Sequence, residues 1–223
     1  MASAKIYQFY SELNDFTPRI WRRFQVRENI TIAQLGYIVM SIYRMNGHHL
    51  MKMIVPPSDQ TKESHKNLNT EDPVPTIHLE FMNFPDYEEV KGPNNQSMEI
   101  TTAKLRDYIS GPGCEVTLLY DFGDSWEVAI KLEEVITDSN SPEGDLPCVI
   151  DGEGYGIIED CGGIPGLEEL DHAYRTKQGD SYDALRKWMG TDDFSITSFD
   201  KAEINLLLKT EPEAFRNAYE RYS

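Results

Sequence analysis

Four residues could together perform metal-dependent chemistry. Asp121 and Asp124 stand three positions apart in Tyr120–Ile130, which reads YDFGDSWEVAI, and Asp160 and His49 lie elsewhere in the chain. Clusters of carboxylates suit Mg²⁺ or Mn²⁺, and a histidine can join them as a ligand. One function that the sequence offers is therefore a divalent-metal-dependent hydrolase.

Two triplets in this segment resemble catalytic motifs but lack the residues that those motifs require. Asp121–Gly123 reads DFG, yet the chain has none of the glycine-rich loop, strand lysine and HRD segment of a protein kinase. Gly123–Ser125 reads GDS, and nothing specifies the base and orienting group that a nucleophilic serine needs. We therefore expect neither a kinase nor a serine hydrolase.

A zinc site would need the cysteines. The chain has three, Cys114, Cys148 and Cys161, an odd and small number for a secreted disulfide framework. None of them forms the C-x-x-C pair that makes a zinc site specific, so we expect reduced thiols, no cofactor and no bound metal. The minor candidates for metal ligands are His49, Cys148, Asp160 and Cys161.

One cluster combines basic and aromatic residues. Arg19, Arg22 and Arg23 flank Trp21, and such a group could stack on or grip an anion, as in direct DNA binding. The alternative, which we favour, is an internal ion-pair network with the acidic hairpin segment, because buried arginines need partners. The residues in this interpretation are Arg19, Trp21, Arg22, Arg23, Asp121, Asp124 and Trp126.

The charge of the chain is large and unevenly distributed. Its 223 residues carry a formal net charge of −17. Residues 1–66 hold 9 Lys and Arg against 5 Asp and Glu, whereas residues 67–223 hold 12 against 33. This balance disfavours direct nucleic-acid binding, which needs cations to replace phosphate counterions. It favours solubility, or a partner protein with a basic surface.

Composition also limits the classes of protein to which the chain can belong. Hydrophobic residues make up 39% and aromatic residues 11% of the chain, which excludes a disordered polyelectrolyte. No apolar run approaches the roughly 18–20 residues that a membrane span needs. The N-terminus lacks the layout of a signal peptide, so we expect a cytoplasmic protein without membrane contact.

The elements that must position these residues begin with two strands, predicted over 5–10 and 20–26. A helix then starts at Thr31–Gln34, which fits the capping box, and ends at Asn46-Gly47. Further strands are expected over 50–55 and 76–81, with loops over 58–75 and 85–97 and a short helix over 102–109.

The clearest prediction is an antiparallel hairpin. Residues 115–120 are β-prone, and from Trp126 onward apolar residues alternate with polar ones as far as Leu132. The five residues Asp121–Ser125 join the two runs, and Gly123 suits a loop with a positive φ.

The C-terminal part is predicted to be helical. Residues 137–166 form a connection rich in Gly, Pro and Asp, and helices follow over 167–174, 182–189, 201–208 and 213–222. Asp200 and the box Thr210–Glu213 are the start signals of the last two. The expected fold is a single α+β domain over 1–223, with a largely antiparallel sheet and first helices in 5–136 and the connection and C-terminal helices in 137–223.

Three motifs in series resemble one known family. Pro18–Val26 (PRIWRRFQV) with Ile30–Leu35 (ITIAQL) is similar to the family opening PPIWRRI…ITLAQLH, and Tyr120–Glu127 reproduces its YDFGDSWE. Glu159–Gly163 (EDCGG), with the later WMG and SFD segments, is similar to its EDCGGxxGY…WLG…FD ending. Order and spacing match over about residues 5–208, and the chain is identified as a member of the plasmid pRiA4b ORF-three-like family.

The chain departs from the family pattern at three places. It reads His49-Leu50-Met51 where the family has HLH, Val128 where it has His, and Leu167 where it has Tyr. Two missing histidines count against a metal or acid–base site in this chain. The resemblance implies an α+β fold with a largely antiparallel sheet against helices. It settles no activity and carries over no catalytic residues, and it suggests the biology of mobile elements such as plasmids and phages.

The leading hypothesis is an accessory protein of a mobile element, of unknown function within its family, that binds rather than catalyses. Its acidic 67–223 region would meet a protein with a basic surface, in a sharper form by imitating nucleic acid and inhibiting a host defence nuclease. The alternatives are the metal-dependent hydrolase and direct DNA binding. The sequence does not indicate an oligomeric state.

Overall fold

The computed structural model describes residues 5–57, 76–81, 95–137 and 146–222, which form one mixed sheet with helices. The strands are β1 (Lys5–Leu13), β2 (Trp21–Arg27), β3 (Met51–Val55), β4 (Thr76–Glu80), β5 (Asn95–Glu99), β6 (Glu115–Tyr120), β7 (Trp126–Thr137) and β8 (Cys148–Glu153). Their order in the sheet is β5-β4-β3-β6-β7-β1-β2-β8. Only β4 and β5 pair in parallel among these described strands, so the predicted α+β fold with a largely antiparallel sheet is confirmed.

The helices divide into one central helix, one short helix and a C-terminal group. They are α1 (Ile32–Ile42), α2 (Leu105–Tyr108), α3 (Gly163–Thr176), α4 (Gly179–Met189), α5 (Lys201–Leu207) and α6 (Glu211–Tyr219), and a 3₁₀ turn (Glu220–Tyr222) follows. None of these helices is long and apolar enough to cross a membrane.

Helix α1 begins where the capping box predicts. The Thr31 side chain accepts a hydrogen bond from the Gln34 backbone, and the Gln34 side chain accepts one from the Thr31 backbone. The predicted end at Asn46-Gly47 is wrong, because α1 stops at Ile42. Arg44 takes the left-handed conformation, with φ of 61°, and so turns the chain several residues before Gly47.

The hairpin prediction is confirmed. Trp126, Val128, Ile130 and Leu132 are all fully buried on one face of β7. Strand β7 continues to Thr137 and pairs with β1 on its other side, with a register shift between Gln8 and Phe9. The hairpin therefore lies in the middle of the sheet.

Two strands lie where loops were predicted. Asn95–Glu99 forms β5 at the sheet edge and begins inside the predicted loop 85–97, and Cys148–Glu153 forms β8 inside the predicted connection 137–166. The β8 sequence CVIDGE has little alternation, and pairing with β2 places Val149 opposite Phe24 and creates the strand. The predicted loop 58–75 and residues 85–94 lie outside the described residues.

The C-terminal helices form where the sequence predicts them, with shifted ends. Asp200 caps α5 by accepting from the backbones of Ala202 and Glu203, whereas the Thr210 side chain makes no capping bond to α6. Helix α6 packs on α1, and Tyr219 stacks on both Tyr37 and Phe81. Helix α4 packs against α3, and none of its residues is buried.

Candidate functional site

The loop of the β6–β7 hairpin holds its residues in a fixed turn. Asp121 and Ser125 have positive φ values of 52° and 55°, and the Ser125 backbone donates to the Asp121 carbonyl at 2.6 Å. Asp121 Oδ1 accepts a further bond from the Gly123 backbone at 2.9 Å. Aspartate tolerates this left-handed backbone better than most residues because its short side chain can bond locally. Phe122, at the tip, is 44% exposed.

The segment after α1 brings His49 to this loop. The Tyr219 hydroxyl donates to the His49 carbonyl, and the imidazole lies edge-on to the Tyr120 ring, with centroids 5.9 Å apart. The Gly47 backbone donates to the Tyr120 hydroxyl at 3.1 Å. The position of His49 is therefore set by two tyrosines from different elements.

A second loop, which leads into α3, is pressed against the hairpin loop. A Cβ atom at Gly163 would lie 2.6 Å from the Asp124 carbonyl oxygen, and one at Gly166 would lie 1.6 Å from the Cys161 carbonyl oxygen. Both distances are far below van der Waals contact, so only glycine lets the backbone approach this closely. The EDCGG segment is thus a packing motif as well as a source of carboxylates.

Glu159 anchors the second loop from inside. Its Oε1 atom accepts hydrogen bonds from the Tyr120 hydroxyl at 2.8 Å and from the Asn46 backbone at 2.6 Å. Burial, and then this bond to Glu159, raise the pKa of Tyr120, so the phenol stays a donor at ordinary pH. The next residue, Asp160, has a positive φ of 59° and projects outward.

Three carboxylates converge on one imidazole nitrogen. His49 Nε2 lies 3.5 Å from Glu159 Oε2, 3.6 Å from Asp121 Oδ2 and 3.8 Å from Asp160 Oδ1. The side chain of Glu159 is 9% exposed, that of Asp121 13%, that of His49 34% and that of Asp160 75%. We call these four residues the carboxylate cluster. The contacts are longer than ordinary hydrogen bonds, so they are mainly electrostatic.

Two oxygen atoms at these loops are buried without a hydrogen-bond partner among the described residues. They are Glu159 Oε2 and Asp124 Oδ2. The neighbouring Cys161 thiol has a pKa raised to about 12, first by burial and then by the charge of Asp124. It is therefore a protonated thiol and not a ready nucleophile.

The arrangement suits a cation. Three carboxylates face a histidine that brings at most one positive charge, so the cluster retains an excess of negative charge. Among the residues that the structure describes, no group of three or more His, Cys, Asp or Glu side chains is arranged to hold a metal ion. The three cysteines are thiols rather than disulfides, as predicted, and Cys148 lies apart in β8 opposite Gln25.

Arg22 does not belong to this site. It is fully buried, and its guanidinium lies over the rings of Tyr43 and Phe199, at 5.3 and 4.9 Å. Five backbone carbonyls accept its hydrogen bonds at 2.6 to 3.0 Å, those of Ile42, Trp21, Glu153, Gly154 and Tyr155. Arg22 therefore fastens β2 to the segment after β8.

The other arginines have partners near β2. Arg23 binds both oxygens of Glu133 at 2.6 and 2.8 Å, and Arg19 lies 3.9 Å from Glu12. The predicted ion pairs with Asp121 and Asp124 are therefore wrong, because β7 and β1 separate β2 from β6 in the sheet.

The two aromatic residues of the predicted cluster, Trp21 and Trp126, lie in different parts of the fold. Trp21 stacks on Tyr10 at 5.5 Å and donates to Glu153 at 3.0 Å, on the outer face of the sheet. Trp126 is buried in the core, and its Nε1 atom has no hydrogen-bond partner among the described residues. Of the predicted binding residues, only Asp121 and Asp124 lie at the two loops.

Sequence reasoning missed Glu159 and Tyr120 as site residues. Both stand in the motifs that carry the family resemblance, YDFGDSWE and EDCGG, and that was the available signal. Their pairing across 39 positions could not be read from either motif alone.

The comparisons with known proteins agree on family and fold. The model of the family described as plasmid pRiA4b ORF-3-like protein matches residues 5–205. The chain is 27% identical over 123 residues to the uncharacterized protein y4hQ of Sinorhizobium fredii; the match covers 55% of this chain and about 60% of that relative. A crystal structure titled as a protein of unknown function, MM3350 of Methanosarcina mazei Go1, superposes with a TM-score of 0.69. That match has 24% identity and covers 91% of this chain and 98% of the other, and it bears on the fold alone. The chain therefore belongs to the plasmid pRiA4b ORF-3-like family, whose function is unknown.

Proposed function

We propose that this protein is a non-catalytic accessory protein that binds a partner protein with a basic surface. The observation that carries the proposal is the carboxylate cluster, in which three acidic side chains surround one imidazole nitrogen within 3.8 Å. An excess of carboxylate over cation is stabilised by an external positive charge. A basic protein surface supplies such a charge.

The wider surface supports the same class of partner. Exposed acids continue along α3, α4 and the turn after α4, namely Glu168, Glu169, Asp180, Asp183, Asp192 and Asp193. Four exposed cations lie on the same elements, Arg175, Lys177, Arg186 and Lys187, so these six acids exceed them by two. Arg186 lies near two of the acids, with contacts of 4.0 Å to Asp183 and 2.6 Å to Asp192. Exposed charges of one sign steer and orient an oppositely charged partner more than they add affinity.

In its sharper form, the proposal makes the protein an imitator of nucleic acid that inhibits a host defence nuclease. The support is the net charge of −17 together with the mobile-element setting that the family name suggests. An acidic protein that occupies a nucleic-acid-binding surface competes with DNA for that surface.

The test is a competition experiment. A fluorescent duplex bound to a purified basic, non-specific nuclease is titrated with this protein, and anisotropy reports release of the duplex. We expect release at about 0.1 M NaCl, where the Debye length is about 10 Å. At about 1 M NaCl the duplex itself leaves a non-specific nuclease, so the salt dependence is measured on the direct binding of this protein to the nuclease, which should be lost there. The sharper form is refuted if basic nucleases release no duplex at low salt. A mixture of this protein with the duplex alone is the control for direct DNA binding.

The divalent-metal-dependent hydrolase is the second candidate. Of the four residues that the sequence offers for it, His49, Asp121 and Asp160 lie together and Asp124 does not join them. Among the described residues these side chains are not arranged as a metal site, so the candidate depends on their rearrangement around an ion. Thermal melting with and without Mg²⁺, Mn²⁺ or Zn²⁺ separates the two functions. A stabilised protein with metal-dependent hydrolysis supports the enzyme, and unchanged melting supports the binding protein.

A further inference from the structure

Glu159 carries an oxygen atom that lacks a donor. Its side chain is nine-tenths buried, and its Oε1 atom is fully used by Tyr120 and Asn46. Its Oε2 atom is buried, makes no hydrogen bond to any part of the chain that the structure describes, and faces His49 Nε2 at 3.5 Å. Buried carboxylate oxygens are nearly always satisfied in folded proteins, so an unsatisfied one at a loop junction indicates a missing donor.

The same junction presents an aromatic ring. Phe122 stands between Asp121 and Asp124 in the hairpin loop and is 44% exposed. Lys52 Nζ already lies 5.4 Å from the centre of this ring. The ring is therefore positioned to contact a cation through its π face.

We propose that the carboxylate cluster binds the guanidinium of an arginine side chain of the partner, with Phe122 as the stacking platform and Glu159 Oε2 as the anchoring acceptor. A guanidinium is planar, has five N–H donors and pairs with carboxylates while it stacks on aromatic rings. A lysine ammonium offers a single point of charge and stacks less well. The inference rests on the proposed binding function and names the group that the site selects.

The imidazole of His49 has to move before a guanidinium can reach Glu159 Oε2. Its side chain is one-third exposed and touches the three carboxylates at distances too long for good hydrogen bonds. Rotation of the imidazole uncovers Glu159 Oε2, and the guanidinium then takes over the electrostatic role of the imidazole. The charge-assisted bonds that form are shorter and stronger than the contacts they replace.

The test compares two peptides of equal length, an oligoarginine and an oligolysine, by fluorescence titration against the whole protein. We expect the oligoarginine to bind about tenfold more tightly, a difference of about 1.4 kcal/mol. Glu159→Gln should weaken the oligoarginine about tenfold, since Gln keeps the Oε1 acceptor for Tyr120 but replaces the anionic Oε2 with a donor. Phe122→Ala should weaken it about threefold to tenfold, and this exposed position does not put folding at risk.

Matched controls separate the site from general attraction. Glu134→Gln removes an exposed acid of β7, and Leu206→Ala removes an apolar side chain that is 62% exposed on α5. Both lie outside the carboxylate cluster and should change the affinity less than about twofold. Equal losses in the controls, or equal affinity for the two peptides, would overturn the inference.

The two proposals can fail separately. If duplex displacement from basic nucleases is absent but oligoarginine binding depends on Glu159 and Phe122, the guanidinium site stands and the nuclease inhibition falls. If displacement occurs and neither variant affects oligoarginine binding, the wider acidic surface acts and the guanidinium site falls.

Discussion

Tyr120 and Glu159 join the two signature segments of the chain. The Tyr120 hydroxyl, at the end of β6, donates a 2.8 Å hydrogen bond to Glu159 Oε1, in the loop before α3. The same hydroxyl accepts a bond from the Gly47 backbone at 3.1 Å. One phenol thus ties together the hairpin, the segment that carries His49 and the EDCGG loop.

Loss of this hydroxyl should destabilise the protein. We expect Tyr120→Phe to lower the free energy of unfolding by about 1.5–3 kcal/mol, the range for a hydrogen bond to a charged group, because Glu159 and Gly47 lose a partner. Urea denaturation measures the change. The control is Tyr10→Phe, whose hydroxyl bonds Glu12 on the half-exposed outer face and should cost about 0.5 kcal/mol. Equal losses would show that Tyr120 is not a structural joint.

Gly163 should tolerate no side chain, unlike its neighbour. Both Gly162 and Gly163 have positive φ values, 94° and 70°, but a Cβ at Gly163 would lie 2.6 Å from the Asp124 carbonyl oxygen and one at Gly162 meets nothing within 4 Å. Each alanine carries about 1–2 kcal/mol of backbone strain, and Gly163→Ala adds about 1–3 kcal/mol of overlap. Urea midpoints of the two variants check this, and similar midpoints would contradict the close contact of the two loops.

The sequence predicted the elements that a few neighbouring residues are enough to specify. The alternation from Trp126 to Leu132 needs only its own strand to be recognised, and the Thr31–Gln34 box needs only four residues. Strand β8 could not be predicted in this way. This segment becomes a strand because it pairs with β2, which lies more than 120 positions earlier in the chain. Its residues Asp151 and Gly152 are typical of turns.

The candidate site shows the same division. The sequence points to Asp121 and His49 as residues with chemical potential, but not to the contact of both with Glu159. It also suggests that Arg22 needs a partner, and the partner is a set of backbone carbonyls rather than the carboxylates of the hairpin loop. Every residue has a backbone carbonyl, so the sequence does not indicate which carbonyls accept a given hydrogen bond, and only the fold shows them.

Replacement of Arg22 should be among the most damaging single changes. Arg22→Met leaves five carbonyl bonds unmade, four of them to β2, the last residue of β8 and the two residues after it. We expect a loss of about 3–5 kcal/mol in unfolding free energy. Arg22→Lys should recover little, since an ammonium cannot reach carbonyls on several sides. The control Arg19→Met removes an arginine that is more than half exposed and should cost less than about 0.5 kcal/mol. Chemical denaturation decides, and a mild effect of Arg22→Lys would contradict the geometry.

The buried tyrosines should make the fold sensitive to alkaline pH. Burial raises the pKa of Tyr37, Tyr43, Tyr120 and Tyr219, and burial with the Glu12 bond raises the pKa of Tyr10 to about 12. In the unfolded chain these phenols titrate near pH 10. The folded state therefore holds more protons between the two pKa values, and stability falls as the pH rises above about 10.

Arg22 works in the opposite direction, because burial lowers its pKa to about 10 and the unfolded arginine keeps its proton to a higher pH. This single group does not offset several tyrosines. We expect the unfolding free energy to decline from about pH 10 upward, by up to about 1.4 kcal/mol per pH unit for each buried tyrosine. Urea melts between about pH 8 and 11.5, with tyrosinate absorbance as the second readout, measure this. Tyr43→Phe removes one fully buried phenol and should make the decline shallower, and an unchanged slope would contradict its burial.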